Sequence, residues 1–183
     1  MSNNFIKAID FTLPWETGRT KNGQLRPDGG YTNDPQDPGG ETKWGISKRA
    51  HPDLDIKNLT LDRAFVTYKN DYYDVYRTFR NEPVDLDLVP VDYAVCVFDS
   101  GVNCGVVRTH GWHRVARKEK DPTKALMGLR LERYNHLVTV NPTLKKYYNG
   151  WINRMNDLRK YVAILQQDGI SAVTQANALV RQG

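Results

Sequence analysis

Residues 17 to about 45 are crowded with Gly, Asp, Asn and Pro, and no helix runs through such a stretch, because glycine and proline both oppose helix interiors. The sequence on either side is helical in pattern. Phe5, Ile6, Ile9 and Leu13 recur at helical spacing and predict a first helix that runs into Pro14-Trp15-Glu16. Inside the polar stretch, Asn22-Gly23 between Arg19-Thr20-Lys21 and Gln24-Leu25-Arg26 is a strong hairpin signal, so a ribbon of two or three short strands is expected there.

Beyond the ribbon a bundle of helices is expected. Thr60 caps a long amphipathic helix whose stripe is Leu61, Ala64, Phe65, Tyr68, Tyr72, Val75, Tyr76 and Phe79. The apolar run from Val91 to Phe98 predicts a buried central helix. Asp121-Pro122 opens another, with Asp as cap and Pro in the first turn. Asn141-Pro142 and Asn149-Gly150 bracket shorter pieces, and a last helix is expected over residues 151–167 with Gly169 as its stop, followed by a weakly helical tail. The fold class is α+β, mostly α, in one domain spanning residues 1–183, with the ribbon at about 17–45 and the helical bundle at about 47–180.

Several functions fall away on composition. No apolar run approaches the roughly 20 residues of a membrane span. The start Met1-Ser2-Asn3-Asn4 lacks a basic segment followed by an apolar one, so synthesis in the cytoplasm without a signal peptide is expected. Cys96 and Cys104 fit neither a disulfide framework nor a zinc pattern and read as helical thiols. His110 and His113 share a helix face without a matching pair elsewhere, so no metal and no cofactor is expected. Charge is divided along the chain. Residues 1–100 hold 12 Lys/Arg against 16 Asp/Glu, and residues 101–183 hold 14 against 5. The basic second half suits a polyanion such as an acidic envelope polymer or anionic outer-membrane component, or equally a plainly solvated helical surface. No helix-turn-helix or finger pattern accompanies it, so nucleic acid is not expected as a partner.

Chemistry is expected in the polar stretch, since loops on a helical scaffold tend to carry function. Five carboxylates lie in it or at its entry, Glu16, Asp28, Asp34, Asp37 and Glu41, with Trp15, Tyr31 and Trp44 among them. Carboxylates and aromatic faces without a Cys or His nucleophile favour glycosidic-bond chemistry over acyl transfer. Glu16 stands at the negative end of the predicted first helix beside an indole, and both features disfavour its ionisation, as a general acid requires. A solvated helix-end Glu is the plain alternative. Asp34-Pro35 and Asp37-Pro38 also fit simple turn architecture. Gly29-Gly30 and Gly39-Gly40 permit tight turns or close substrate approach and lack the spacing of a phosphate loop.

The run Gly29-Gly30-Tyr31-Thr32-Asn33-Asp34-Pro35-Gln36-Asp37-Pro38-Gly39-Gly40-Glu41-Thr42-Lys43-Trp44-Gly45-Ile46 resembles the signature of glycoside hydrolase family 108, whose members are N-acetylmuramidases, often phage endolysins. Similar stretches are Leu59-Thr60…Ala64…Tyr68…Asp71-Tyr72-Tyr73, then residues 98–105 from Phe98 to Gly105, and Gly150-Trp151-Ile152-Asn153-Arg154. The resemblance covers about residues 5 to 160 and implies a lysozyme-like fold. It also implies cleavage between N-acetylmuramic acid and N-acetylglucosamine, with peptidoglycan strands as partner, a monomer, and action on the cell wall after holin-type release.

This chain departs from the family pattern at one position. The family's catalytic Glu directly precedes Gly-Gly-Tyr, where Asp28 stands here. Trp15-Glu16 matches the Trp-Glu that the family places at the end of the first helix, with residues 17 to 28 as an insertion. The resemblance therefore carries the acid role to Glu16, with Asp28 as the lesser candidate. Asp28, Asp34 and Asp37 are candidates for the second group, Thr42 for holding a water or sugar hydroxyl, and Tyr31, Asp37, Trp44, Tyr72, Tyr73 and Asn103 for lining the sugar cleft. A catalytically inactive binding or structural phage module and a lytic transglycosylase are the alternatives.

Overall fold

In the computed structural model residues 1–18, 20, 25–37 and 39–180 are described, with side chains described as far as residue 169. Helix α1 (Asn3–Thr17) begins where the Ser2 hydroxyl accepts from the Phe5 amide and buries Phe5, Ala8, Ile9, Thr12 and Leu13, a stripe at three- and four-residue spacing. Its last turn contains Pro14, which costs one backbone bond, and the Thr17 hydroxyl donates back to the Leu13 carbonyl at 3.0 Å.

The ribbon lies later in the sequence than expected. The Asn22-Gly23 hairpin signal falls outside the described residues. The observed strands are β1 (Thr42–Lys43) and β2 (Ile46–Ser47), antiparallel with Thr42 opposite Ser47 and Lys43 opposite Ile46. Thr32 pairs with the other edge of Thr42 through two 2.9 Å backbone bonds. Trp44-Gly45 makes the turn with φ of +55° and +73°, the two positive values a two-residue hairpin of this hand needs. A tryptophan there carries no local turn signal, and tertiary bonds hold it instead. Its amide donates to the Gly29 carbonyl (2.7 Å), its indole to the Leu59 carbonyl (3.1 Å), and its carbonyl accepts from the Tyr68 hydroxyl (3.0 Å).

Helix α2 (Leu61–Tyr72) is capped by Thr60 as expected but is shorter than its stripe, since a 3₁₀ helix takes over at Asp74–Thr78. Tyr73 at the junction and Tyr76 within the 3₁₀ helix are both buried in the core. Phe5 makes edge-to-face contacts with Phe65 and Tyr73 at 6.5 and 5.3 Å, joining α1 to α2 and the residue after it. These elements belong to one compact unit, Met1–Leu86.

A second unit, Asp87–Gly183, is built on α3 (Val91–Cys104), buried continuously from Asp92 to Gly101. Around it pack α4 (Val106–Ala116), α5 (Pro122–Val140) and α6 (Lys145–Val180). Asp121 caps α5, with its carboxylate accepting from the Lys124 amide at 2.9 Å and Pro122 in the first turn, as the sequence predicts. Neither Gly150 nor Gly169 breaks α6. Trp151, Arg154, Met155, Leu158, Val162 and Leu165 keep one face packed, and that outweighs the ~1 kcal/mol a helical glycine costs. In the core of this unit Asp99 binds Arg130 and Arg154, each at 2.6 Å, with Asp99 and Arg130 fully buried. Cys96 is buried and Cys104 half-buried, both as free thiols on α3. Among the described residues no helix is long and apolar enough to cross a membrane, and no group of three His, Cys, Asp or Glu side chains could hold a metal.

Candidate active site

Glu16 sits in the last turn of α1, half-buried, with the packed stripe below it fixing its direction. Gly45 of the ribbon turn comes so close that a Cβ built on it would lie 2.9 Å from the Glu16 Cβ and 2.5 Å from the Tyr68 hydroxyl. Only glycine fits there, both for space and for its φ of +73°. The Gly29-Gly30 turn closes the same corner. A Cβ on Gly30 would meet the Thr17 carbonyl at 2.9 Å, and one on Gly29 would meet the Trp44 ring at 2.6 Å. Gly-Gly-Tyr therefore returns to the end of α1.

The remaining sequence candidates fall into two groups. Asp28, Asp34 and Asp37 are exposed and hold turns: Asp28 accepts from the Gly30 amide (3.0 Å), Asp34 from Gln36 (2.8 Å) and Asp37 from Gly39 (2.8 Å). Asp28 also pairs with Arg26 at 2.7 Å, and these bonds, the Arg26 one foremost, hold its carboxyl at about 2, the opposite of what a proton donor needs. The Thr42 hydroxyl donates to the Gly40 carbonyl at 3.1 Å within the same ribbon. Tyr31 donates to Glu41 at 2.8 Å, which together with lesser effects raises its phenol pKa.

Of the aromatic residues expected to line a cleft, Trp44 is only 7% exposed and Tyr73 only 1%. Both serve packing, Trp44 by clamping the turn and Tyr73 by its edge contact with Phe5. Tyr72 stays half-exposed, its ring 5.8 Å from that of Tyr68. Burial raises its phenol pKa, followed by the negative charges of Asp71 and Glu16. Asn103 belongs to the second unit, exposed at the end of α3, where it accepts from the Tyr134 hydroxyl.

One pair escaped the sequence reading. His51 Nε2 lies 2.9 Å from Asp71 Oδ2, joining the turn after β2 to the last turn of α2. Burial raises the Asp71 pKa and the His51 charge opposes it. The available signal was positional. Asp71 stands three residues after Tyr68 and so shares its helix face, but nothing local pointed to His51.

A helix-end glutamate thus stands beside a tight ribbon turn, with the Tyr68 hydroxyl at the same corner and Tyr72 within reach of its charge. Residues 23–105 match the family model described as Glycosyl hydrolase 108, and the match supports assigning the chain to that family of glycoside hydrolases. The matched residues take in the ribbon, α2 and α3, include Asp28, and begin beyond Glu16. No curated protein and no solved structure matches the chain.

Proposed function

We propose that this glycoside hydrolase is a peptidoglycan muramidase that cuts between N-acetylmuramic acid and N-acetylglucosamine, with Glu16 as the proton donor. The observation that carries the reading is the placement of the carboxylates. Asp28, Asp34 and Asp37 are exposed on their own turns, whereas Glu16 stands half-buried at a helix C-terminus against Gly45, next to Tyr68 and within the electrostatic reach of Tyr72. Glu16 gives its proton to the leaving glycosidic oxygen as the sugar approaches an oxocarbenium-like state. Tyr72 offers an aromatic face to the glycan.

The substrate class is supported by the family and by the resemblance of residues 29–46 to its muramidase signature. The basic half of the chain suits the anionic envelope around such a polymer. In this reading the enzyme acts as a monomer on the cell wall after holin-type release.

The test is clearing of outer-membrane-stripped Gram-negative cells by wild type, Glu16→Gln and Asp28→Asn, with folding checked by circular dichroism. Glu16→Gln is expected to lose about 10²–10⁴-fold in rate while Asp28→Asn stays active. A dead Asp28→Asn beside an active Glu16→Gln would move the acid to Asp28. A folded wild type that clears nothing would favour a binding module. Mass spectrometry of the products separates hydrolysis from transglycosylation, which leaves an anhydro end.

A further inference from the structure

We infer that Asp71, oriented by His51, is the base that takes the proton from the attacking water, an inference that rests on the reading of Glu16 as proton donor. Tyr68, Asp71 and Tyr72 occupy positions i, i+3 and i+4 of α2 and therefore share one face of it. The direction of that face is set at Tyr68. Its hydroxyl reaches the Trp44 carbonyl at 3.0 Å and stands 2.5 Å from the point where a Gly45 Cβ would be, a point 2.9 Å from the Glu16 Cβ. The face that carries Asp71 is thus turned toward the end of α1 that carries Glu16. Tyr72, packed on Tyr68, feels the charge of both carboxylates.

Asp71 is also held as a base should be held. Its Oδ2 bonds His51 Nε2 at 2.9 Å, and among the described residues Oδ1 makes no hydrogen bond. The His51 amide is fixed to the Ser47 carbonyl at the end of the ribbon (3.0 Å), so the imidazole and the Trp44-Gly45 turn ride on one element. Both side chains of the pair keep partial exposure, 26% for His51 and 35% for Asp71, which leaves a path for water. Neighbouring carboxylates are engaged elsewhere: Asp74 with Lys69 and Arg77, Asp85 with Arg77, and Glu41 with Tyr31.

The step balances with water as the only co-reactant. The water oxygen bonds to the anomeric carbon and its proton passes to Asp71. The bond from that carbon to the leaving oxygen breaks, and that oxygen takes the Glu16 proton. Asp71 ends protonated and Glu16 ionised, and solvent exchange restores both. His51, from the turn after β2, is the charged group that bears on Asp71, and Tyr72 on the same helix feels the charges of Asp71 and Glu16. A protonated His51 favours the ionised base, so its removal moves the onset of activity to higher pH.

The experiment measures hydrolysis of purified peptidoglycan against pH by wild type, Asp71→Ala, Asp71→Asn and His51→Ala, with folding checked by circular dichroism and azide added to the Asp71→Ala reactions. Asp71→Ala is expected to fall about 10²–10⁴-fold and to regain part of the rate with azide, a small anion that fills the vacated place. Asp71→Asn, which keeps the shape, should be equally slow and serves as the reading if Asp71→Ala fails to fold. His51→Ala should shift the acid limb upward. An Asp71→Asn enzyme as fast as wild type, or a slow Asp71→Ala unmoved by azide together with an unshifted His51→Ala limb, would overturn the inference. Full activity of Glu16→Gln is a separate result and would overturn the proton-donor reading instead.

Discussion

Replacing Gly45 with alanine tests fold and site at one atom. The new Cβ would enter at a φ of +73°, 2.5 Å from the Tyr68 hydroxyl and 2.9 Å from the Glu16 Cβ, where ordinary contact begins near 3.4 Å. The left-handed backbone costs roughly 1–2 kcal/mol for a residue with a Cβ. Moving the Tyr68 hydroxyl off the Trp44 carbonyl leaves a buried bond unmade, at about 1–3 kcal/mol. Gly45→Ala should therefore lose about 2–5 kcal/mol, a large share of an ordinary domain's roughly 5–15 kcal/mol. Glu16 has to give way by about half an ångström or more, and since a misplacement near 1 Å costs about 10²-fold, the surviving folded enzyme should be slowed by one to two orders of magnitude. Urea denaturation measures the first effect and cell clearing the second. Tyr68→Phe supplies the internal control. It removes the atom at 2.5 Å, so Gly45→Ala should cost about 1 kcal/mol less in that background than in wild type. Costs that add within ~0.5 kcal/mol would refute the clash as the cause, and an active, stable Gly45→Ala would refute the close approach altogether.

Asp99→Asn should be among the most damaging substitutions in the second unit, costing about 3–5 kcal/mol by denaturation, because Arg130 and Arg154 would keep their charges in the core without a counter-ion. Burial alone would raise the Asp99 pKa, but the two guanidiniums overcome it and hold it at about 2. Its folded value lies below the unfolded one, so its contribution is complete above the ordinary carboxylate range near pH 4 and is lost as pH falls toward 2. Stability unchanged between pH 5 and 2 would contradict this. For the Arg26–Asp28 pair, Arg26→Gln should raise the Asp28 pKa from about 2 toward the ordinary range, as read by NMR titration of its carboxyl. An unmoved titration would show that the turn amides alone hold the charge.

Much of the architecture was legible in the residues because its signals are local. The α1 stripe, the Thr60 and Asp121 caps and the apolar run at Val91 act over one or two helical turns, so periodicity and capping chemistry reveal them. The Asp-Pro pairs likewise read as turns, since each carboxylate bonds an amide two residues on. The helix end that carries Glu16 was legible for a comparable reason, since a few adjacent residues fix it.

Long-range contact governed the rest. Trp44-Gly45 carries the hairpin turn although a tryptophan has no preference for positive φ, because bonds to Gly29, Leu59 and Tyr68 outweigh the local cost. The same contacts withdrew Trp44 and Tyr73 from the surface. α6 runs through Gly150 and Gly169 because a continuous packed face over its earlier turns exceeds what one glycine costs. His51 and Asp71 stand twenty positions apart, and their pairing depends on how the ribbon meets α2. Periodicity reports which residues a helix or strand turns inward. Which side chains from different elements then meet depends on packing that no short stretch of sequence contains.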